Sequence, residues 1–220
     1  MSGTLYIVST PIGNLEDITL RAIRILKEAD MIAAEDTRRA NVLLKAYGIS
    51  TPLTSYHSYN LDSKTPRLVR ELTAGRNIAL VSDSGTPGIS DPGSVLIAEC
   101  IKKNVTITTV PGPTALVAAL VLSGKRTNKF VFEGFLSNKA AKRRRQLEDL
   151  KDEKRTVIIY ESPHRIQKFL GDFIKIIGDR EIVIAREITK KFEEVRRGKA
   201  SRQLEHFSAN RPRGEYIIIF

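Results

Sequence analysis

Over its first 110 residues the chain alternates short β-prone runs with stretches of helical spacing, and this alternation limits the fold more than any other feature. The runs at 5–8, 31–34, 78–81 and 105–110 are rich in aliphatic and β-branched residues, as strands are. Between them Leu20, Ile23 and Leu26, and later Ser94, Ile97, Ala98 and Ile101, recur at helical spacing, so each helix offers one apolar stripe. Strands and helices in strict alternation predict an α/β fold with a mostly parallel sheet. At Pro111, Gly112 and Pro113 the pattern breaks, because two prolines remove donors and restrict their neighbours. A hinge is expected there, dividing the chain into domains 1–112 and 113–220.

The second domain is predicted to be mixed α/β. An apolar helix at 114–122 precedes a strand at 130–133, a basic helix from Lys139 and a strand at 156–160. Ser162 then suits a helix cap with Pro163 at the first position. Ile166, Phe169, Leu170, Phe173, Ile174 and Ile177 share one face of that helix, and Gly178 stops it. Runs at 182–185 and 216–220 read as further strands, joined by a basic connecting segment.

With 220 residues, 41% of them hydrophobic and 28% charged, the composition is that of a globular protein able to bury a core. The longest apolar run, 115–122, is far shorter than the roughly 20 residues of a membrane helix, and no secretory pattern opens the chain. A cytoplasmic protein without a membrane partner is expected. Cys100 is the only cysteine, which excludes an internal disulfide; His57, His164 and His206 lie too far apart for zinc spacing, and no metal is expected. The net charge of +11 suits a polyanionic partner, although it also suits a basic enzyme charged only for solubility.

The most informative segment is 82–93, which follows a buried-type strand, precedes a helix and carries three glycines. In open α/β sheets ligands sit beyond the carboxyl ends of strands, and glycine lets the backbone approach them. The competing reading is a long turn in which Asp91 caps the next helix. No phosphate-binding Gly-x-x-x-x-Gly-Lys-Ser/Thr or dinucleotide Gly-x-Gly-x-x-Gly spacing occurs, which argues against ATP hydrolysis and NAD chemistry. The first strand ends in a similar special loop, 9–15. Glu35 and Asp36 close the second strand, where they can accept from substrate hydroxyls or cap a helix. Lys139, Lys142, Arg143, Arg144 and Arg145 place five cations in seven residues. Such a cluster suits a nucleic-acid backbone, unless it is solvated or paired along its own helix. Ionisable groups gather again at 160–165 and 186–190, each at a strand end where neighbours can tune proton transfer.

Taken in order, the segments 9–15, 34–38, His57 with Asn60, 81–93, 111–115, 132–135, 160–165 and 185–190 resemble the tetrapyrrole methylase superfamily. Within it they are similar to the bacterial cytidine 2′-O-ribose methyltransferases of small-subunit ribosomal RNA. The resemblance covers essentially the whole chain. It implies a two-domain fold with a mostly parallel first sheet and a mixed second one, a homodimer, and S-adenosylmethionine held in a cleft between the domains. The implied substrate is a cytidine ribose in the decoding region of 16S rRNA in the small ribosomal subunit. By position, Pro11, Asp83, Ser84, Gly85 and Ile89, with Thr114 and Ala115, would line the cofactor cleft. The cluster Lys139, Lys142, Arg143, Arg144 and Arg145 would meet RNA. A ribose hydroxyl needs a base, or a cation for the developing alkoxide, and Glu187 with Lys190 is the expected pair, Glu161, Glu35 and His164 being alternatives. The chain departs from the tetrapyrrole enzymes in a first loop poorer in glycine. It also ends at Phe220, where many members continue into a helical segment, so the basic second domain is expected to grip RNA.

Overall fold

Five strands, β1 (Thr4–Val8), β2 (Met31–Ala34), β3 (Leu53–Ser55), β4 (Ile78–Val81) and β5 (Thr106–Val110), form a wholly parallel sheet in the order β3-β2-β4-β1-β5. The computed structural model describes residues 2–220; this sheet and its helices make the first of two compact units, which ends at Thr114. Both faces of the sheet are covered, which is why the central strands are apolar without alternation. Ala79 and Val81 share a core with Ala22, Ile25 and Leu26 of α1 (Leu20–Glu28) and Leu43 and Leu44 of α2 (Thr37–Ala46). Ile78 and Leu80 join Leu68 and Leu72 of α3 (Leu61–Thr73) and Leu96 and Cys100 of α4 (Gly93–Lys102). The chain therefore leaves β1 and β2 toward one face and β3 and β4 toward the other. Neighbouring strand ends diverge, and the carboxyl edge of the sheet opens into crevices.

The second unit, Ala115–Phe220, contains a mixed sheet of β6 (Phe130–Phe135), β7 (Thr156–Glu161), β8 (Glu181–Arg186), β9 (Glu194–Lys199) and β10 (Tyr216–Ile219). The order is β6-β7-β10-β8-β9, with β6 and β7 parallel and the other pairs antiparallel. Phe169, Leu170 and Phe173 of α7 (Ile166–Ile176) pack with Leu147 of α6 (Ala140–Asp149), Phe207 of α8 (Ala200–Ala209) and Val157, Ile159, Ile184 and Ile218 of the sheet. Each such side chain contributes about 1.5–3 kcal/mol when fully buried. On the opposite face α5 (Ala115–Ser123) covers β8, β9 and β10.

Two expectations need correction. The helix expected from Ser162 starts at Ile166. The Glu161 carboxylate takes the Ser162 N–H at 2.7 Å, and the Ser162 carbonyl accepts from Arg165 and Ile166, so a turn comes first. The supposed connecting segment after residue 186 contains β9 and α8. Strand β9 was hidden because it is a charged edge strand, a form that discourages pairing with other chains. Among the described residues no helix is long and apolar enough to cross a membrane.

Candidate functional site

In the first unit the loops that follow β1, β4 and β5 converge on Gly85. Thr10 and Gly85 exchange backbone hydrogen bonds of 2.9 and 3.1 Å, and the Thr10 hydroxyl donates to the Ser82 carbonyl at 3.2 Å. Ser9 Oγ and Thr86 Oγ1 share a 2.9 Å bond that pins the two loops a second time. Gly85 has φ +81°, and a Cβ there would meet Ile12 at 3.4 Å and the Pro113 carbonyl at 3.5 Å, with Thr114 at 3.9 Å. Gly112 crosses so close that a Cβ would come within 2.9 Å of Ser9 Cβ. Residues near 10, 85 and 113 thus form one main-chain cradle, with Ser84 exposed at its rim. Beside it lies a cavity of about 110 Å³ lined by Thr10, Pro11, Leu15, Arg39, Ser82 and Asp83 among others.

Asp83 ties this cradle to the end of β2. One carboxylate oxygen accepts from the Asp36 N–H at 2.9 Å and the other pairs with Arg39 at 3.2 Å. Burial, and then the charge of Asp83, raise the pKa of Glu35. The cap of α4 falls at Pro92, one residue after the Asp91 expected from sequence, and Asp91 acts from just before it: its Oδ1 accepts from Gly93, the first residue of α4, at 2.7 Å, and also from Gly88 at 2.8 Å. It closes the distal half of the loop, where Ile89 is exposed. Among the described residues no group of three or more His, Cys, Asp or Glu side chains could hold a metal.

In the second unit Arg186, at the end of β8, opens a turn with two strained residues, Glu187 at φ 50° and Thr189 at φ 67°. A non-glycine residue in this region costs about 1–3 kcal/mol and persists only where the surroundings enforce it. Lys190 Nζ lies 2.9 Å from Glu187 Oε1 and 2.9 Å from Glu215 Oε2, and Glu187 Oε1 also accepts the Glu215 N–H at 3.0 Å. Gly214 leaves the room: a Cβ there would stand 2.6 Å from Glu187 Cγ. Burial raises the Glu187 pKa, but the hydrogen bond from Lys190 and that from Glu215 outweigh it, so the net shift is downward. Burial lowers that of Lys190, yet its bonds to Glu215 and Glu187 carry it upward. Both shifts run away from neutrality. Lys190 stays an ammonium, suited to stabilising negative charge and unsuited to accepting a proton. Glu187 stays a carboxylate, the member of the pair able to accept a proton, and its lowered pKa weakens it as a base.

Glu161, Tyr216 and Arg186 lie side by side across β7, β10 and β8. Glu161 is 2% exposed; Oε1 takes Ser162 N–H and Arg165, whose guanidinium approaches to 2.7 Å, while Oε2 has no partner. Arg186 Nε and Thr189 Oγ1 are likewise buried and unpartnered. Glu161 is therefore placed to hold the turn ahead of α7 rather than to meet solvent. His164 is exposed and bonds locally, through its N–H, to Ser162 Oγ.

The basic cluster divides. Lys139, Lys142, Arg144 and Arg145 are exposed on α6 and the residue before it, but Arg143 is only 5% exposed. Its guanidinium grips Asp172 of α7 at 2.6 and 3.0 Å, and Arg144 reaches the other Asp172 oxygen at 2.8 Å. Arg143 is thus an internal tie between helices and is corrected from the phosphate-facing set. The signal lay in Asp172, a charge inside the stripe of Phe169, Leu170 and Phe173. Sequence reasoning also missed Arg39, Gly214 and Glu215, whose partners Asp83, Glu187 and Lys190 lie far along the chain.

Residues 4–202 match the family Tetrapyrrole (Corrin/Porphyrin) Methylases. The chain belongs to this family of methyltransferases. Among its relatives, the Ribosomal RNA small subunit methyltransferase I of a Synechocystis strain is 49% identical over 99% of this chain and 78% of its own length. The protein of that name from Thermotoga maritima is 48% identical over 99% of this chain and 97% of its own. Solved structures share the fold: a diphthine synthase has a TM-score of 0.78 at 13% identity, covering 99% of this chain and 89% of that one. The uroporphyrin-III-C-methyltransferase of Thermus thermophilus gives 0.70 at 19%, covering 99% and 94%. The α/β architecture expected from sequence, one parallel sheet and one mixed, is the one the chain has.

Proposed function

We propose that the chain transfers a methyl group from S-adenosylmethionine to the 2′-hydroxyl of a cytidine ribose in the decoding region of 16S rRNA, acting in the cytoplasm as a homodimer. The observation that carries this reading is near-full-length kinship of 48–49% with proteins named for small-subunit ribosomal RNA methylation. The +11 charge agrees with a polyanionic substrate.

The Gly85 cradle fits such a donor, since three loops present main-chain groups around a residue that cannot carry a side chain without strain. Pro11, Ser84, Gly85 and Thr114 would hold it, with Asp83 fixing the loop and Ile89 completing the contacts. The donor supplies a sulfonium methyl that is already electrophilic. The protein's task is then alignment and exclusion of water, worth several kcal/mol at roughly the scale of well-oriented intramolecular reactions. Glu187 accepts the hydroxyl proton, Lys190 stabilises the developing alkoxide, and Glu161 positions the turn beside them. Lys139, Lys142, Arg144 and Arg145 meet phosphates.

Mapping ribose methylation on small-subunit RNA from cells lacking this protein tests the reading: one 2′-O-methylcytidine should vanish and return on complementation. An unchanged map overturns it. A tetrapyrrole-type substrate would leave that map intact, and the protein would bind calorimetrically to the donor but not, in a salt-dependent way, to ribosomal particles. An assembly factor would bind particles and no donor. Single-turnover rates of Lys190→Ala and Glu187→Gln near that of the unaltered protein would remove the assigned pair.

A further inference from the structure

We propose that Tyr59, fixed by His57 and Asn60 at the carboxyl end of β3, is a stacking platform for a nucleobase of the RNA substrate, an inference that rests on the RNA-methylating role above. Ser55 of β3 lies opposite Ala34 of β2, and the Tyr56 N–H donates to the Ala34 carbonyl at 2.8 Å. The turn 56–60 therefore adjoins Glu35 and Asp36, and through the Asp36 N–H bond to Asp83 it belongs to the same sheet edge as the Gly85 cradle.

This turn is braced on several sides. Asn60 Oδ1 accepts the His57 N–H at 2.9 Å. Asn60 Nδ2 donates to the Ser55 carbonyl at 3.3 Å and to its hydroxyl at 3.2 Å, and lies 3.3 Å from His57 Nε2. Beneath it Tyr56 is 1% exposed and shares a 2.9 Å hydroxyl bond with Thr65. On this frame Tyr59 is 95% exposed, the highest value among the exposed large hydrophobic side chains, with the His57 ring 6.1 Å away at 61°. An aromatic ring carried into water on a braced turn gains contact when a flat group stacks on it.

The neighbouring chemistry selects the occupant. Lys64 reaches Thr54 Oγ1 at 2.8 Å, and Arg38, 90% exposed at the end of β2, is ion-paired with Asp36 at 2.7 and 3.1 Å. A π-face among cations and carboxylates matches a splayed RNA strand. Bases stack on aromatic rings, cations meet phosphates, and carboxylates accept from base amines and ribose hydroxyls. An apolar peptide or a lipid tail would find no continuous apolar surface around it.

Loss of one base stack corresponds to roughly a 5- to 150-fold change in affinity. Methylation kinetics on small ribosomal subunits lacking the modification should show the KM of Tyr59→Ala raised by that factor. Its kcat and its calorimetric affinity for S-adenosylmethionine should stay unchanged. Tyr59→Phe should restore KM; Tyr59→Leu, equally apolar but without a ring, should not. The chain contains no tryptophan, so Tyr59→Trp creates a single indole that can be excited apart from the remaining tyrosines. Protein-free small-subunit RNA should quench it, and should not quench Ile101→Trp, which is 62% exposed at the far end of α4. An unchanged KM for Tyr59→Ala, or a raised KM without quenching in Tyr59→Trp, overturns the stacking role. If the unaltered protein methylates no RNA, the proposed function itself fails, which is a separate result.

Discussion

The loop after β4 and the turn after β8 both bend the backbone into the left-handed region, by opposite means. The first does so mainly with glycine, Gly85 at φ 81° and Gly88 at φ 91°; the second forces Glu187 and Thr189 there at φ 50° and 67°. Glycine takes this conformation freely and leaves the main chain uncovered, whereas a β-branched threonine is a genuine outlier. The loop is thus suited to letting a ligand approach peptide groups. The turn is suited to fixing two side chains at one spot, with Gly214 left bare to admit them.

The strongest way to break this contrast is Gly214→Val. It places a branched side chain at φ +86° and within 2.6 Å of Glu187. Strain and overpacking together should remove about 2–5 kcal/mol of stability, read as the urea midpoint, and turnover should fall at least 100-fold. Gly85→Ala should be milder, because its nearest neighbours stand at 3.4 Å and beyond. The expected loss is about 1–2 kcal/mol with weakened donor binding by calorimetry. A larger stability loss at Gly85 than at Gly214 would invert the assignment of open cradle and crowded turn.

A pH series sharpens the same comparison. Because the Glu187 pKa is lowered in the fold, its ion pair adds stability above the unfolded value near 4.3 and loses it as pH falls through the folded value. Glu187→Gln should therefore be about 1 kcal/mol less stable at pH 7, and the gap should shrink as pH falls below the unfolded value near 4.3 and through the lower folded one. Thr189→Gly should relieve the strain, leaving stability equal or higher by about 1 kcal/mol while lowering turnover. A clear drop in its melting temperature would show that no strain is stored there.

The strands were legible where burial is two-sided. Ile78, Ala79, Leu80 and Val81 serve two cores at once, so no polar residue interrupts them. Two of the edge strands escaped: β3 is half-buried along its three residues, and β9 carries Glu194, Arg196, Arg197 and Lys199. The start of α7 was misplaced because Ser162 and Pro163 look like a cap, while the true organiser, Glu161, acts from the strand before them. The site was legible as segments and illegible as partnerships. Nothing near residue 190 announces that Glu215, 25 positions away, completes its ion pair.

The finest test concerns Asp91, the one carboxylate inside the glycine loop that holds two backbone N–H groups at once, Gly88 and Gly93. Burial raises its pKa, against the pull of those N–H bonds, and the charge of Asp83 adds to the rise. A raised folded value means that its contribution is greatest below the unfolded value near 3.9 and declines as pH climbs through the folded one. What the loop needs from this residue is the Oδ1 acceptor, and the charge works against burial. Asp91→Asn keeps the acceptor and removes the titration, so its urea midpoint at pH 7 should match the unaltered protein within about 0.5 kcal/mol. Asp91→Ala deletes the acceptor and should lose about 1 kcal/mol at pH 7, as capping substitutions do, and more as pH falls, where the protonated carboxyl contributes most. If Asn proved as damaging as Ala at pH 7, the ionised carboxylate itself would be holding the loop, and the glycine segment would depend on electrostatics as the turn around Lys190 does.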